Sequence, residues 1–345
     1  MKKSLIALAV LSASGLAMAQ SSVTLYGVVD TGPTYIKGDK NVYGLTNYGG
    51  TTNSRLGLRG TEDLGGGLKA IFNLEGGIGT DTGEGKAAGG GFDFKRTSYV
   101  GLEGGFGIVR FGRELTASYL AVSRYDPFGD TGIGATRFWG NGYAARVENG
   151  ITYYTPNIAG FKLGVNYGFG EQTASRDNRY ITLGATYDNG PLSVGFGYDK
   201  LNGNRVGGLN PAAEDLTTWQ LGGSYDLGAA KLAAAYKNTK YKDDLGNSEK
   251  LKSYMLGVTA PVGAGKIKAA YSHYKWSDSS AKANEFSLGY VYDLSKRTAV
   301  YGTYAYLKNK NGATFGLNAG NLATSAGLTA SGKQQGLQVG IRHAF

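Results

Sequence analysis

The amino-acid sequence predicts an all-β protein, a 16-stranded antiparallel transmembrane β-barrel with short turns on one side and long loops on the other. Three observations support this fold class. Apolar and polar residues alternate with a period of two along many short segments, and short turns alternate with long polar stretches between those segments. The composition, with 58 Gly, 25 Tyr and 13 Phe but 6 Pro and 3 Met, is typical of strands and tight turns and poor in helix formers.

Residues 1–19 are predicted to be a secretory signal peptide. Met1-Lys2-Lys3 is followed by an apolar run from Leu5 to Leu11 and then by Ala17-Met18-Ala19, which is the three-part layout of such signals. The apolar run is shorter than the roughly 20 residues that a membrane-spanning helix needs. Residues 20–345 are predicted to form a single barrel domain, because no linker or change of composition interrupts them.

After residue 19 no stretch stays apolar for more than a few residues without Gly, Lys, Asp or Asn. Any membrane crossing must therefore use strands, and a spanning sheet has to close into a barrel because bilayer hydrocarbon offers backbone amides no water. The chain has no Cys, which excludes disulfides and thiolate metal sites, and no cofactor or metal is expected. The cations behind its formal charge of +10 are spread along the chain, so we expect no nucleic-acid partner.

The last segment shows the strand alternation clearly. One face carries Leu337, Val339, Ile341, His343 and Phe345, and the other carries Gln338, Gly340 and Arg342. The segments 68–75 and 219–227 alternate in the same way. One face therefore suits lipid and the other suits water, although a soluble antiparallel sandwich would also alternate.

The connections distinguish a barrel from a sandwich, because they are of two kinds that alternate. Seven are short and rich in Gly, Asp, Asn and Pro, at 62–67, 103–106, 155–157, 188–191, 226–228, 260–263 and 293–295. Eight are longer and polar, near 37–51, 79–92, 114–144, 170–178, 201–214, 242–248, 277–282 and 309–332. Together they join sixteen strands in the layout of an outer-membrane barrel, which encloses an aqueous lumen that side chains cannot fill.

Tyrosines near the short turns or strand ends are expected to form interface girdles, since their amphipathic rings prefer headgroup depth. The group comprises Tyr26, Tyr99, Tyr153, Tyr187, Tyr225, Tyr290 and Tyr292. The alternative is that Tyr is only a good strand former at these positions.

Four segments carry a family resemblance: 22–30, which reads Ser-Val-Thr-Leu-Tyr-Gly-Val-Val-Asp, 54–65, 96–102, and the terminal Arg342-His343-Ala344-Phe345. They resemble the trimeric general porins of the Gram-negative outer membrane, and the likeness covers essentially all of residues 20–345. The resemblance implies a homotrimer in contact with outer-membrane lipid and lipopolysaccharide. Each barrel would pass small hydrophilic solutes and ions by passive diffusion. Phe345 resembles the signal that the outer-membrane insertion machinery reads.

The resemblance also implies that the third long loop, residues 114–144, folds into the lumen and narrows it. Family members often carry a Pro-Glu-Phe-like element in this loop. This chain reads Asp126-Pro127-Phe128-Gly129-Asp130 instead. The detailed path of the loop is therefore open.

Strand parity proposes residues for the narrowest ring of the lumen. Outward Leu56 and Leu58 place Arg55 and Arg59 inward, and Glu75 is inward beside Lys69. Arg146 shares a predicted face with Glu148 and Thr152, opposite Ile151 and Tyr153. Arg96 has the parity of the lipid-facing Val100 and Leu102, so its place on the basic wall follows from the family resemblance and requires a bulge or a strand-end position.

The basic wall is thus expected to comprise Arg55, Arg59, Arg96 and Arg146, and the acidic side Glu75 with Glu114, Asp126 and Asp130. Facing charges of opposite sign would create a transverse field, and fixed charges select ions where hydration is stripped. Arginine suits this role because its planar guanidinium stays charged and binds carboxylate or phosphate groups. With the net basic charge, this arrangement favours anions. The alternative is that these side chains are solvated lumen residues or partners of their neighbours.

Other functions have weaker support. An outer-membrane enzyme would need an acid/base pair and usually a nucleophile. The only histidines are His273 and His343, and His343 has lipid-facing parity, so a His-based hydrolase has little support. Chemistry by carboxylates alone is the other enzymatic alternative, and no enzyme activity is expected. A substrate-specific channel is the main alternative, with stacking surfaces from loop aromatics: Tyr119, Tyr125, Phe128, Phe138 and Trp139. Those side chains could equally anchor the loop to the wall. An adhesive surface protein would need a plugged lumen, and no plug-sized insertion is present.

Overall fold

Eighteen strand segments form one antiparallel sheet in the computed structural model, which describes residues 22–46, 49–85, 91–136, 145–171, 178–203, 215–243 and 245–345. The predicted signal peptide lies outside the described residues. The strands are β1 Ser22–Thr31, β2 Pro33–Lys37, β3 Asn41–Leu45, β4 Arg55–Gly65, β5 Leu68–Gly77, β6 Thr97–Gly104, β7 Gly107–Leu115, β8 Arg146–Tyr154, β9 Phe161–Gly168, β10 Tyr180–Asn189, β11 Leu192–Leu201, β12 Asp215–Asp226, β13 Lys231–Lys242, β14 Ser248–Val262, β15 Gly265–Trp276, β16 Lys282–Asp293, β17 Thr298–Lys310 and β18 Lys333–Ala344.

The sheet closes on itself between its first and last strands. Val28 lies opposite Ala344 and Thr31 opposite Ile341, while the other edge of β1 pairs with β4. Because β1 and β2 both pair with β18, they are two halves of one barrel strand. They separate at Gly32, where a Cβ atom would lie 1.9 Å from the carbonyl oxygen of Val339.

Segments β3 and β4 are likewise two halves of one strand, since they pair in turn with β2 and β1. The eighteen segments therefore make sixteen barrel strands, which confirms the predicted fold class. The seven short turns lie where the sequence predicted them.

The first long connection differs from the prediction. The stretch 37–51 was expected to be one loop, but a turn at 38–40 leads directly into β3, and residues 46 and 49–54 lie outside the sheet before β4. The buried Asp30 carboxylate causes the excursion, because it accepts hydrogen bonds from the backbone N–H groups of Gly50, Thr51 and Thr52, each at 2.9 Å. These donors are then not available to a sheet ladder.

The alternation predicted within the strands is confirmed. Leu337, Val339 and Ile341 are about half exposed on the outside, whereas Gln338 is 1% exposed on the inside. Outward apolar side chains are uncovered in the single chain because lipid or other subunits cover them in a membrane protein. The interior holds the buried polar side chains and the described part of the third long loop, which ends at residue 136.

Two of the seven predicted girdle tyrosines point into the lumen instead. The Tyr26 hydroxyl donates to Asn73 and Glu75, each at 3.0 Å, and the Tyr99 ring lies under the Arg110 guanidinium. Tyr153, Tyr225, Tyr290 and Tyr292 are exposed on the outside. The lumen-facing pair shows that proximity to a strand end does not fix the side to which a ring points.

Two short helices lie in those parts of the long loops that the structure describes. Helix α1, Ala117–Ser123, begins at Thr116, whose hydroxyl accepts from the Tyr119 N–H, and it packs inside the barrel against β9 to β12. Helix α2, Asn321–Ser325, lies in the eighth loop against β3. Neither helix, nor any other in the described part of the chain, is long and apolar enough to cross a bilayer.

Candidate functional site

Helix α1 and Tyr125 of the third long loop lie directly on the inner wall because the wall has glycines at the points of closest approach. A Cβ atom on Gly184 would lie 2.0 Å from the carbonyl oxygen of Ala117, and one on Gly195 would lie 2.1 Å from that of Ala121. On the next strand, Gly222 has the same relation to the Tyr125 ring, at 2.4 Å. Glycines of β10, β11 and β12 thus form a seat for α1.

Buried hydrogen bonds fix the helix in this seat. The Ser118 hydroxyl donates to Asp199 at 2.5 Å, and the Tyr180 hydroxyl donates to the other oxygen of Asp199 at 2.9 Å. The Ala117 N–H donates to Asn166 at 2.7 Å. Because all these groups are buried, breaking one bond would leave a desolvated polar group without its partner, so the loop is held firmly.

Residues 126–136 of the loop are folded around Asp126. Its carboxylate is 6% exposed and accepts from the Phe128 N–H at 2.8 Å and from the Thr136 hydroxyl at 3.1 Å. Phe128 packs with Ala135 and Ala270. Asp126 therefore closes the loop onto itself and the wall, whereas the sequence placed it on an acidic side facing the arginines.

Three arginines gather across from this loop, around one carboxylate. Glu75 accepts from Arg96 at 2.7 Å and lies 3.2 Å from the Arg55 guanidinium. The Arg146 guanidinium donates to the Arg96 carbonyl oxygen at 2.7 Å. We call Arg55, Arg96 and Arg146 the arginine cluster. Glu75 was predicted for the acidic side, but it lies within the basic wall and bridges two of its members.

The side chains of two cluster members do not follow the alternation of the strands next to them. Arg96 precedes β6, and its N–H donates to the Glu75 carbonyl oxygen, so its side chain is free to turn inward. Arg146 begins β8, and one residue of β7 lies opposite two of β8, with Asn149 in the left-handed region at φ 50°. This bulge shifts the alternation, so Glu148 is exposed while Thr152 is buried, although the sequence placed both on one face. Arg146 has the parity of Glu148, and it reaches the Arg96 carbonyl oxygen from its position at the end of the strand.

Arg55 is positioned by the excursion that Asp30 organises. One terminal nitrogen of its guanidinium donates to the Thr52 hydroxyl at 2.9 Å and to the Asn53 carbonyl oxygen at 3.0 Å. Tyr301 donates to Asp30 at 2.7 Å from the opposite side. Sequence reasoning missed Asp30. The sequence signal for it was a charged residue within the first predicted strand.

Asp130 is the loop carboxylate that the charges of the arginine cluster influence. It lies in the left-handed region at φ 63° and accepts from the Tyr119 hydroxyl and from Thr131. Burial raises the pKa of Asp130, while those hydrogen bonds and the charges of Arg146 and Arg96 oppose the rise. Burial and the Asp130 charge also raise the pKa of Tyr119, so its hydroxyl remains a donor.

Glu114 and Arg59 do not join the arginine cluster. Glu114 is buried and pairs with Arg110 at 2.8 Å. The Arg59 guanidinium lies 5.0 Å from the centre of the Tyr26 ring, and with Arg110 and Glu103 it lines a separate depression nearer the short turns. Of the predicted charged residues, the structure therefore brings together Arg55, Arg96, Arg146, Glu75 and Asp130.

Lysines that sequence reasoning did not single out lie on the short-turn side of the loop. Lys231, Lys266 and Lys268 line a cavity of about 240 Å³ beneath Pro127, together with Arg124. Arg124 is neutralised by a two-pronged pair with Asp188 at 2.8 and 3.0 Å. Among the described residues the three lysines have no salt bridge, so positive charge continues from the arginine cluster towards the short-turn side.

Phe345, the predicted assembly signal, lies at the closure of the barrel. Its N–H donates to the Gly27 carbonyl oxygen and its own carbonyl accepts from the Gly27 N–H, both at 3.1 Å. Its ring covers Gly27, where a Cβ atom would lie 2.4 Å from the ring. The terminal residue thus takes part in joining the last strand to the first.

Comparisons with known proteins agree with this architecture. Residues 4–312 match the Gram-negative porin family. The chain is 50% identical to outer membrane porin protein 32 of Delftia acidovorans over 361 residues, which covers 100% of both chains. It is similar to the solved anion-selective porin from Comamonas acidovorans, with a TM-score of 0.86 and 46% identity over 94% of this chain and 100% of that chain. A trimer form of OmpT from Vibrio cholerae shares the fold, with a TM-score of 0.69 and 18% identity over 94% of this chain and 99% of that chain.

Proposed function

Because the chain belongs to the Gram-negative porin family and is an outer-membrane channel, we propose that its pore prefers anions and that the arginine cluster sets this preference. The observation that carries the proposal is the charge balance at the loop. Three guanidinium groups share Glu75 and Asp130 as their nearby carboxylates. The remaining predicted acids, Asp126 and Glu114, are buried and engaged elsewhere.

The name of the similar Comamonas protein, an anion-selective porin, supports the same preference. So do the lysines below the loop, since an anion that leaves the arginines meets further positive charge. A pore discriminates by fixed charges where a solute loses part of its hydration shell. Net positive charge there lowers the barrier for anions and raises it for cations.

The mechanism is passive diffusion past a fixed cationic wall. Guanidinium donors replace water around a chloride, carboxylate or phosphate group as it passes, and they remain charged at any working pH. Glu75 holds Arg55 and Arg96 in place by salt bridges, so the donors are arranged before the solute arrives. Asp130 opposes the wall from the loop and supplies the acidic side of a transverse field.

The test is the zero-current potential of the refolded protein in a planar bilayer under a KCl gradient. The wild type is expected to prefer chloride, and Arg55→Ala with Arg146→Ala is expected to reduce the chloride preference several-fold. The matched control is Lys296→Ala with Arg297→Ala, which removes two positive charges from an exposed short turn. The control should leave the preference close to that of the wild type.

Cation preference in the wild type would contradict the proposal. An equal loss in both double variants would assign selectivity to overall charge rather than to the cluster. Discrete single-channel conductance steps in each variant would show that the barrels are folded and open.

The alternative of a substrate-specific channel has less support. Tyr119, Tyr125 and Phe128 are buried against the wall, as anchors of the loop would be, and cannot form a stacking track for a solute. Phe138 and Trp139 lie outside the described residues. The family relatives are named porins, which supports the inference that this chain is not an enzyme.

The functional unit is proposed to be a homotrimer that contacts lipid and lipopolysaccharide and is inserted through its C-terminal strand. We also propose that residues 1–19 are removed on export. The reciprocal hydrogen bonds of Phe345 with Gly27 support a role for the terminal residue in assembly, because they complete the closure of the sheet.

A further inference from the structure

A row of lysines runs across the outside of β13 to β17, at the strand ends that adjoin the long loops. We define the lysine belt as Lys240, Lys250, Lys252, Lys275, Lys282 and Lys310. The register places Lys240 opposite Lys250, Lys252 opposite Lys275, Lys275 opposite Lys282, and Lys282 opposite Lys310. Neighbouring strands lie about 4.8 Å apart, so the belt is a continuous band of positive charge.

The belt faces away from the lumen. Leu251, Tyr274 and Ala283, the sequence neighbours of belt lysines, are fully buried on the inside. Because successive residues of a strand point to opposite faces, the lysines point outward. They therefore lie away from the path that a solute takes through the barrel.

The described part of the chain does not balance this charge. No belt lysine has a salt bridge among the described residues, and the outward positions of β13 to β17, all of which are described, hold no Asp or Glu. Two carboxylates in the described parts of the adjoining loops are engaged locally, since Asp243 accepts from the Asn247 N–H at 2.7 Å and Asp278 from the Ser277 hydroxyl at 2.8 Å. Like charges directly opposite on neighbouring strands destabilise a sheet. Repulsion between the paired lysines therefore destabilises this part of the sheet, and a bound anion would reduce that repulsion.

The depth of the belt identifies where that anion must come from. The outward residues of β14 read Lys250, Lys252, Tyr254 and Leu256 towards the membrane centre, and Leu256 is 60% exposed. The Tyr254 ring lies 5.0 Å from the Tyr236 ring of the next strand. Charged side chains lie in the headgroup region of a membrane, aromatic rings at the interface and aliphatic side chains in the hydrocarbon. The outward residues of β14 follow this order. The long-loop side of a single-chain barrel faces the exterior.

We propose that the lysine belt binds the phosphates of lipid A, the membrane anchor of lipopolysaccharide, in the outer leaflet. The occupant must be anionic and must reside in the membrane beside an apolar wall. A lipid with more than one phosphate matches a band of paired lysines better than a lipid with a single phosphate. Clusters of basic side chains at a membrane surface attract anionic lipids in this way. The proposal deepens the lipopolysaccharide contact stated above and does not depend on the anion preference of the pore.

The test compares the refolded mature protein with the variant Lys252→Gln, Lys275→Gln, Lys282→Gln and Lys310→Gln in zwitterionic detergent, titrated with diphosphoryl lipid A. Native mass spectrometry should show that the variant binds lipid A at least tenfold more weakly. The thermal midpoint of the wild type should rise on lipid A addition, while that of the variant should rise little. Without lipid the variant should unfold no earlier than the wild type, because it has lost only repulsion.

The matched control replaces four other lysines by Gln: Lys162, Lys231, Lys266 and Lys296, which lie towards the short turns. It should bind lipid A like the wild type. Equal binding by the belt variant would overturn the proposal, and so would an equal loss in the control. Binding of phosphatidylglycerol as tight as that of lipid A would overturn the assignment to lipid A. The chloride preference of the same belt variant, measured in a planar bilayer, should stay unchanged. This measurement distinguishes failure of the lipid A proposal from failure of the pore proposal.

Discussion

At the scale of single residues, the role of each charged group in the lumen depends on the partners it contacts more than on the sign of its charge. Glu75 lies among arginines and holds two of them, while Asp126 folds its own loop. Asp30 acts at a distance, since it organises the backbone that receives the Arg55 guanidinium. Only Asp130 combines a loop position with the charges of Arg146 and Arg96.

The anion preference of the pore should therefore depend on pH through Asp130. Burial raises the pKa of this loop carboxyl above its ordinary value of 3.8. Asp130 thus takes up a proton at a pH where an exposed aspartate is still ionised. Each protonation removes a negative charge that faces the arginine cluster, so chloride preference should rise as the pH falls towards that window.

The measurement is the zero-current potential as a function of pH, for the wild type and for Asp130→Asn. The variant should show the high preference throughout and should lack the pH-dependent step. If the step persists unchanged in Asp130→Asn, another group titrates in the pore and this assignment is wrong.

At the scale of elements, the position of α1 is decided by the strands on which it lies. Successive strands β10, β11 and β12 each present a glycine to the loop backbone or to a loop ring, and buried polar side chains complete the seat. The helix has only seven residues, which is too short to be stable alone. Its conformation therefore depends on tertiary contacts.

Gly184→Ala should displace this helix, because the new Cβ atom would lie 2.0 Å from the Ala117 carbonyl oxygen. The closed barrel cannot yield easily, so the helix is expected to move into the lumen. Single-channel conductance should fall, and stability should fall by about 1–3 kcal/mol, as for other overpacked sites. Conductance steps and thermal unfolding in detergent measure the two effects.

Gly302→Ala is the matched control on the outer face of β17, where a Cβ atom meets the Val339 side chain at an ordinary 3.7 Å. It should leave both quantities close to those of the wild type. Normal conductance in Gly184→Ala would mean that the backbone of β10 shifts to accept the Cβ atom and that the helix stays in place.

At the scale of the whole molecule, the barrel wall is uneven in height. Strands β6 to β9 have 8 or 9 residues, whereas β12 to β18 have 12 to 15. A tilted strand needs about 9–11 residues to cross a bilayer, so the low side barely spans it. That side exposes apolar side chains such as Val100 and Phe111. Protein rather than lipid is therefore expected to cover it, as in a trimer.

Light scattering of the detergent-solubilised protein should accordingly give the mass of three chains. Val100→Glu, on the low side, should release monomers with an intact β-sheet, because it buries a charge between subunits. Leu256→Glu on the tall side should remain trimeric. A monomeric wild type, or a trimeric Val100→Glu variant, would place the subunit contact elsewhere.

Much of this fold could be predicted from the sequence because its determinants are local. The alternation of side chains distinguishes the outside from the lumen within each strand, and the alternation of short and long connections gives the strand number. The inward positions of Arg55 and Glu75 follow from the same parity. The family resemblance added Arg96, which parity alone would have turned towards lipid.

Contacts between distant segments decided the rest. The bulge at Asn149 changes the alternation at the start of β8, the Asp30 carboxylate holds residues 50–52 out of the sheet, and glycines of three strands receive the third loop. None of these is visible in a local pattern, because each joins groups that are distant in sequence or shifts the register of a neighbouring strand. The sequence by itself therefore determined the barrel and its two faces, and only the tertiary structure decided which charges meet inside it.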